Sequence, residues 1–223
     1  MTSAVVLYGL ARSVYTRIAR LTLETKRVPY RLDEVEVFGP QGAPAEHLSR
    51  QPFGRIPVLC HGDFQLYETQ AICRYVDETF PGARLQPGSP AARARMAQVV
   101  GLLDSYAYRP MVWGVFVQRV RIPLRGGTPD EKLIRESMPM VEKSLDALAA
   151  LKRESRFFAG DELTLADLHA YPMIKYLALA PEGRCALEAR PSIADWLSAL
   201  DPLPSVIATR TEYESSPGAR APA

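Results

Sequence analysis

The run Gln51-Pro52-Phe53-Gly54-Arg55-Ile56-Pro57-Val58-Leu59 is followed, eleven residues after Pro57, by Glu68 in Tyr67-Glu68-Thr69-Gln70-Ala71-Ile72. The two runs read as one ligand site divided between a proline turn and a helix start. Proline cannot donate to a strand ladder and is tolerated only at edges, strand starts or bends, and the residue before it is driven toward extended geometry. Ile56 is therefore expected to present its backbone unpaired. A cis Ile56–Pro57 bond, inexpensive only before proline, would turn the chain sharply and aim both backbone polar groups of Ile56 at an extended peptide. The sequence leaves the isomer open.

Upstream, an apolar run at 4–8 precedes a helical pattern over 14–28, in which Ile18, Leu21, Thr25 and Val28 recur at helical spacing, and a second extended run at 30–37. This is a βαβ unit. Short extended runs at 57–60 and 64–66 flank the turn sequence His61-Gly62-Asp63, and 68–80 is helical with Ala71, Ile72, Tyr75 and Val76 on one face. With the poorly regular segment between them, these predict a small mixed sheet with helices on both sides over residues 1–80. Residues 81–90, rich in proline and glycine, read as a linker. Beyond it nothing alternates like a strand. Helical patterns at 91–121, 130–153, 165–180 and 192–201, the second with Val141, Leu145 and Leu148 on one face, predict an all-α domain over 91–211. Pro110 and Pro172 are expected to kink or interrupt their helices. Thr164-Leu165-Ala166-Asp167 has the form of a capping box that serves folding. The tail, 212–223, is expected to be disordered.

At 223 residues, 47% hydrophobic and 23% charged, the chain can bury one large or two small cores. Its net charge is only +2 with basic residues scattered singly, which gives no nucleic-acid footprint and no polybasic membrane patch. No uninterrupted span of about 18 apolar residues occurs, and the first residues lack the charged-then-apolar pattern of a signal, so a soluble cytoplasmic protein is expected. Cys60, Cys73 and Cys185 form no CxxC pair and no metal-ligand spacing with His47, His61 or His169, so neither a disulfide framework nor a metal is expected, and all three thiols read as inert core.

Helix starts attract anions because their first amides lack partners and the helix dipole is positive there. Glu68-Thr69 opens one helix: its amides and the Thr69 hydroxyl suit a carboxylate, and the Glu68 side chain suits an adjacent ammonium. The same residues would also serve as a plain N-cap. Gly9-Leu10-Ala11-Arg12-Ser13 opens another, where the Ser13 hydroxyl points into a cleft or caps the helix. Arg12 and Arg17 read as solvated side chains.

Taken in order, these segments resemble the glutathione transferase family, in which an α/β thioredoxin-like N-terminal domain is joined to an all-α C-terminal helical domain. Leu7-Tyr8 followed by Ser13 resembles the strand-to-helix turn of the serine-type classes (phi, theta and zeta). Residues 46–57 resemble the phi-like segment before the cis-proline, Glu68-Thr69-Gln70-Ala71-Ile72 the family's Glu-Ser-x-Ala-Ile, Thr164–Asp167 its folding cap, and Arg190-Pro191-Ser192-Ile193-Ala194-Asp195-Trp196 its late helix. The resemblance implies glutathione as co-substrate, with Ile56 paired to its cysteinyl part beside Pro57, Glu68 and Thr69 on the γ-glutamyl end, and Arg55 and Gln41 at the glycyl carboxylate. The family's usual His-Lys is replaced here by Gln41-Gly42. His47 reads as part of a solvated helix face. Ser13 is the implied donor to the glutathione sulfur, with Tyr8 as its rival. Tyr15 and the cluster Tyr106, Tyr108, Met111, Trp113, Phe116 and Val117 would line a pocket for a small hydrophobic electrophile. The implied activity is conjugation. A glutathione-dependent peroxidase, isomerase or dehalogenase, and a non-catalytic binding or regulatory protein, are the alternatives. A homodimer is implied too, with Phe53 either as its lock or packed beneath its own loop, and Asp104 reaching toward a partner's ligand or lying on a solvated face.

Overall fold

Alternation along Val5-Val6-Leu7-Tyr8 buries Val5 and Leu7 on one face of a strand and leaves Val6 and Tyr8 half-buried on the other. In a computed structural model, which describes residues 3–215, this run is strand β1 (Val5–Tyr8). It is followed by α1 (Val14–Thr25), β2 (Arg31–Asp33), α2 (Ala45–Arg50), β3 (Val58–His61), β4 (Phe64–Tyr67) and α3 (Thr69–Thr79). The strands form one sheet in the order β2-β1-β3-β4, with β2 parallel to β1 and the two remaining pairings antiparallel. Leu7 and Leu59 on the sheet pack with Ala19 and Leu23 of α1 and Ile72 and Val76 of α3. At ~1.5–3 kcal/mol for each fully buried large aliphatic side chain, this cluster is the main stabilising element of the sheet.

The pairing register sets the geometry of everything that follows. Asp33 lies beside Tyr8, Tyr8 beside Val58, and Val58 beside Tyr67, so one row crosses all four strands. The chain leaves β1, β2 and β4 and enters β3 at this same end.

Two local expectations change. The extended run 30–37 contributes only three residues to the sheet, because beyond Asp33 the chain is taken up by contacts to the turn after β1 (Val35 N–H to Gly9 O, 3.4 Å) and by the Glu36 carboxylate accepting from Phe38 N–H at 2.8 Å. The segment expected to be irregular contains α2, which starts where Pro44 O accepts from the amides of His47 and Leu48. Lys26, at the end of α1, is buried with Asp77 of α3: its Nζ donates to Asp77 Oδ1 at 3.2 Å and to Ala83 O at 3.1 Å, while Asp77 Oδ1 also accepts from Leu85 N–H. These bonds carry the first compact unit to Leu85.

The second unit begins at Gln86. Ser89 Oγ accepts from Ala92 N–H and opens α4 (Pro90–Leu102). The chain then stays helical through Leu103–Ala107 and Arg109–Arg121 with wide turns, in which Tyr108 N–H bonds Leu103 O and Ile122 N–H bonds Val117 O, each an i→i+5 step. Pro110 therefore sits inside a continuous π-helical stretch. Gly114 lies so close to its neighbour that a β-carbon there would stand 2.0 Å from Ser137 Oγ. A short α5 (Ile122–Leu124) leads to α6 (Glu131–Lys152), α7 (Leu165–Ala178), α8 (Pro181–Glu188), α9 (Pro191–Leu200), α10 (Pro204–Ala208) and α11 (Glu212–Ser215). The sequence patterns did not separate α8 and α10. Pro172 lies within α7, which runs on through it.

The capping box at Thr164 is formed. Asp167 is fully buried and its carboxylate accepts from Thr164 N–H, Thr164 Oγ–H, Phe158 N–H and Trp196 Nε1–H. One side chain thus ties α7, α9 and the preceding loop. The segment 204–209, expected in the helical domain, belongs to the first unit: α10 packs on α1, and Arg20 Nη2 donates to Ala208 O at 3.2 Å. The expected disorder from 212 onward does not begin there. Tyr213 is buried edge-on to Phe116 and Tyr176, and Thr211 Oγ meets Tyr176 OH at 3.2 Å. The rest of that tail, 216–223, lies outside the described residues.

Arg119 joins the starts of two helices, donating to both oxygens of Glu131 on α6 and to Glu182 on α8. Hydrogen bonding to this guanidinium holds both carboxyls below their ordinary range. A carboxyl depressed in the folded state contributes stability above its unfolded pKa and loses it as pH falls through the folded one. Arg119→Met is therefore expected to lower the melting temperature at pH 7, and the gap from wild type should narrow below about pH 3. Thermal melts at both pH values check this; a gap independent of pH contradicts it.

Candidate functional site

Four segments emerge at the Asp33–Tyr8–Val58–Tyr67 end of the sheet: the turn 9–13, the loop 34–38, Ile56-Pro57 and Glu68-Thr69. The register alone brings together residues separated by more than fifty positions.

Pro57 is joined to Ile56 by a cis peptide bond. Ile56 lies two residues before the start of β3, and neither of its backbone polar groups is hydrogen-bonded within the chain among the described residues. An N–H and a C=O on one residue with no partner form a short ladder edge, suited to an extended peptide. Arg55 is exposed and Gln41 lies exposed in the loop before α2.

Glu68 has φ +70°, a left-handed conformation that a non-glycine side chain adopts at a cost of ~1–3 kcal/mol and that concentrates at ligand sites. It stands as N-cap of α3 without making a side-chain capping bond, so its carboxylate remains exposed while the Thr69 side chain is buried. Ser13 occupies the corresponding place on α1 and also makes no capping bond, which leaves its hydroxyl uncommitted to the helix. Gly9 makes the bend possible, since a β-carbon there would come within 2.4 Å of Thr16 Oγ1.

The Ser13 turn is stitched to the loop after β2 along its whole length. Gly9 N–H donates to Asp33 O at 3.0 Å, Val35 N–H to Gly9 O, Ala11 N–H to Glu34 Oε1 at 3.2 Å, and Arg12 Nη2 to Glu36 Oε2 at 2.5 Å. Arg12 is thus an ion-pair partner, and Arg17 is fully buried; neither is the solvated side chain the sequence suggested.

Tyr8 lies on the face of β1 opposite Leu7, with the Arg50 guanidinium 4.2 Å above its ring. Arg50 in turn pairs with Glu46 and accepts at its carbonyl from Gln65 Nε2. On the same sheet face Cys60 is half-buried rather than core, and burial pushes its thiol up, away from thiolate formation. Cys73 is buried against Thr22, whereas Cys185 is exposed, contrary to the expectation that it is core.

His47 was expected on a solvated face and is instead 1% exposed, its Nε2 2.7 Å from Arg55 O. Its burial follows from α2 itself: one helical turn on, Gln51 is also buried, and its Oε1 accepts from Phe53 N–H and Arg55 N–H. Nothing in the composition marked this pair, although the i, i+4 spacing of His47 and Gln51 was a usable signal. Phe53 is 71% exposed with its ring 6.5 Å from that of Tyr67, so it does not pack beneath its own loop.

Of the residues expected to line a second pocket, Met111, Phe116 and Val117 belong to the interior of the helical unit, Phe116 stacking on Tyr176 at 4.4 Å. Tyr106 is 61% exposed, and Tyr108 and Trp113 are half-buried and joined by Trp113 Nε1–H to Tyr108 OH at 3.1 Å. Asp104 is exposed, in keeping with a solvated face, and its Oδ1 accepts from Nε2–H of the buried His169 at 2.8 Å. Tyr15 is half-buried in the first turn of α1. Among the described residues no group of side chains has metal-binding geometry, and no helix is long and apolar enough to cross a membrane.

A mixed four-stranded sheet with a proline-ended loop and a helix start at one edge, followed by a helical unit, is a thioredoxin-like fold with an α-helical companion. Residues 7–84 match the model of the glutathione S-transferase N-terminal domain and residues 97–204 that of the C-terminal domain. The chain belongs to the glutathione S-transferase family. It is 30% identical over 200 residues to glutathione S-transferase 1 of Zea mays, covering 90% of this chain and 92% of the relative, and 32% identical over 181 residues to glutathione S-transferase F10 of Arabidopsis thaliana, covering 80% and 83%. Glutathione S-transferase III in its apo form superposes with a TM-score of 0.82 at 28% identity over 93% of this chain and 95% of that one. Glutathione S-transferase I from maize, in complex with an atrazine glutathione conjugate, does so with 0.80 at 28% identity over 93% and 96%.

The Arg12–Glu36 pair is partly exposed, and pairs of this kind contribute about 0.5–1 kcal/mol. Glu36→Gln is expected to speed amide exchange at residues 11–13 by about two- to fivefold, with the sheet amides unchanged. Hydrogen-exchange mass spectrometry reads this directly, and protection of 11–13 equal to wild type counts against the stitching.

Proposed function

We propose that this glutathione S-transferase binds glutathione along the end of the sheet, stabilises its thiolate with Ser13 and joins the sulfur to an electrophilic carbon of a small hydrophobic compound. The observation that carries the reading is the unpaired backbone of Ile56 beside the uncapped starts of α1 and α3. The cysteinyl part of glutathione pairs with Ile56 next to Pro57. Its γ-glutamyl end has an ammonium for Glu68 and a carboxylate for Thr69 and the first amides of α3. The glycyl carboxylate meets Arg55, whose backbone is held while its side chain is exposed, with Gln41 as a second contact.

A cysteine thiol with a pKa near 8.5 is only a few per cent thiolate at neutral pH, and lowering it by about two units requires roughly 2.7 kcal/mol of preferential thiolate binding. One hydroxyl donor and the positive end of α1 together reach that figure. Ser13 donates a hydrogen bond and keeps its own proton; the thiol proton leaves to solvent. The thiolate then attacks the electrophilic carbon, the carbon–sulfur bond forms, and a halide or comparable group departs with the bonding electrons. Tyr8, with its ring committed beneath Arg50, serves as packing. Tyr15, half-buried in the first turn of α1, offers aromatic surface to the electrophile. The working unit is a homodimer, which the large exposure of Phe53 supports, and the setting is cytoplasmic.

Ser13→Ala is expected to cost about a hundredfold in turnover, as loss of an oxyanion donor does, with glutathione affinity little changed. Tyr8→Phe should stay within about threefold of wild type. Turnover of an activated aryl halide with glutathione, run on both variants, decides the assignment, and the reverse pattern would hand the role to Tyr8.

A further inference from the structure

We infer that His47 is a positioning residue for glutathione binding, holding the peptide unit between Arg55 and Ile56 in the orientation that the tripeptide meets. This rests on the reading that Ile56 docks the cysteinyl part of the ligand. The partner of His47 Nε2 is a carbonyl oxygen, which can only accept, so the ring proton sits on Nε2 and Nε2–H donates to Arg55 O at 2.7 Å. Its other nitrogen, Nδ1, is buried without a partner among the described residues. A buried imidazole with one satisfied nitrogen has a single productive tautomer and a single productive ring orientation.

Arg55 C=O and Ile56 N–H are opposite ends of one peptide plane. A donor on the carbonyl end therefore fixes the direction of the N–H end and polarises it toward a stronger bond with its own acceptor. Gln51, the extended residue that ends α2, completes the clamp: Gln51 N–H bonds His47 O at 2.9 Å, and Gln51 Oε1 accepts from Arg55 N–H at 3.0 Å and Phe53 N–H at 2.7 Å. Both backbone groups of Arg55 are thereby held by buried side chains one turn apart. Its exposed side chain and the unpaired groups of Ile56 project from a fixed base, so the ordering cost is met in the protein before the ligand arrives.

The test compares His47→Phe, which keeps a ring but has no donor, with His47→Gln, whose amide can donate. His47→Phe is expected to raise the KM for glutathione about tenfold, leaving kcat and the KM for the aryl halide within about twofold, and His47→Gln should recover most of the loss. In the wild type, the imidazole Nε2–H resonance of His47 should shift when glutathione is added, a measurement that needs no variant to fold. Unchanged glutathione KM in His47→Phe, equal losses in both KM values, or a resonance that ignores glutathione overturns the inference and leaves the docking at Ile56 standing. Absence of glutathione binding to the wild type by calorimetry overturns the docking itself and the inference with it.

Discussion

The hydrogen-bonded row through Asp33, Tyr8, Val58 and Tyr67 is the constraint on which the candidate site at this end of the sheet depends. Side chains alternate along a strand, so a slip of one residue in any pairing would carry Leu7 or Leu59 out of the core and re-aim the segment that follows. The hydrophobic cluster with α1 and α3 therefore protects the geometry of the candidate site as well as the fold. Burial specifies register, and register specifies where Ser13, Ile56 and Glu68 stand.

Around that end, polar groups are divided between those spent on the protein and those left open. Glu34, Glu36, Gln51 and His47 all hold backbone or an arginine of the surrounding loops. Ser13, Glu68 and the backbone of Ile56 are not so used. An enzyme that must favour an anion on sulfur gains from this division, because committed donors cannot swing toward the ligand and open ones need little reorganisation to reach it. Negative charge at Glu34 and Glu36 would oppose a thiolate, and the placement of Arg12 against Glu36 offsets part of it.

Much of the fold was legible because its determinants are local. Pro57 after an extended residue, the turn at Gly62, the capping box at Thr164 and the periodicity of α1, α3 and α6 each follow from chemistry within a few positions. What escaped was decided by distant packing. The six-residue α2 is too short for a period to show, and the burial of His47 depends on a loop eight residues away closing over it. Arg17, Met111 and Phe116 have side chains that fit either a surface or a core, and only tertiary neighbours choose. The wide turns around Pro110 share their apolar pattern with an ordinary helix, so periodicity could not separate them. At the candidate site, the backing contacts of Glu36, Gln51 and His47 were missed: their partners are an arginine and backbone groups of neighbouring loops, and only the i, i+4 spacing of His47 and Gln51 hinted at them.

The excursion of α10 back to the first unit has a bearing on how the polypeptide matures. With Val206 buried and Ala208 bound by Arg20, one flank of α1 is completed by residues synthesised after α4 to α9 of the helical unit. A nascent chain emerging from the ribosome can assemble the sheet early but must leave one flank of α1 uncovered until position 209 has cleared the exit tunnel, and an excised fragment ending at Leu85 would carry that uncovered flank permanently.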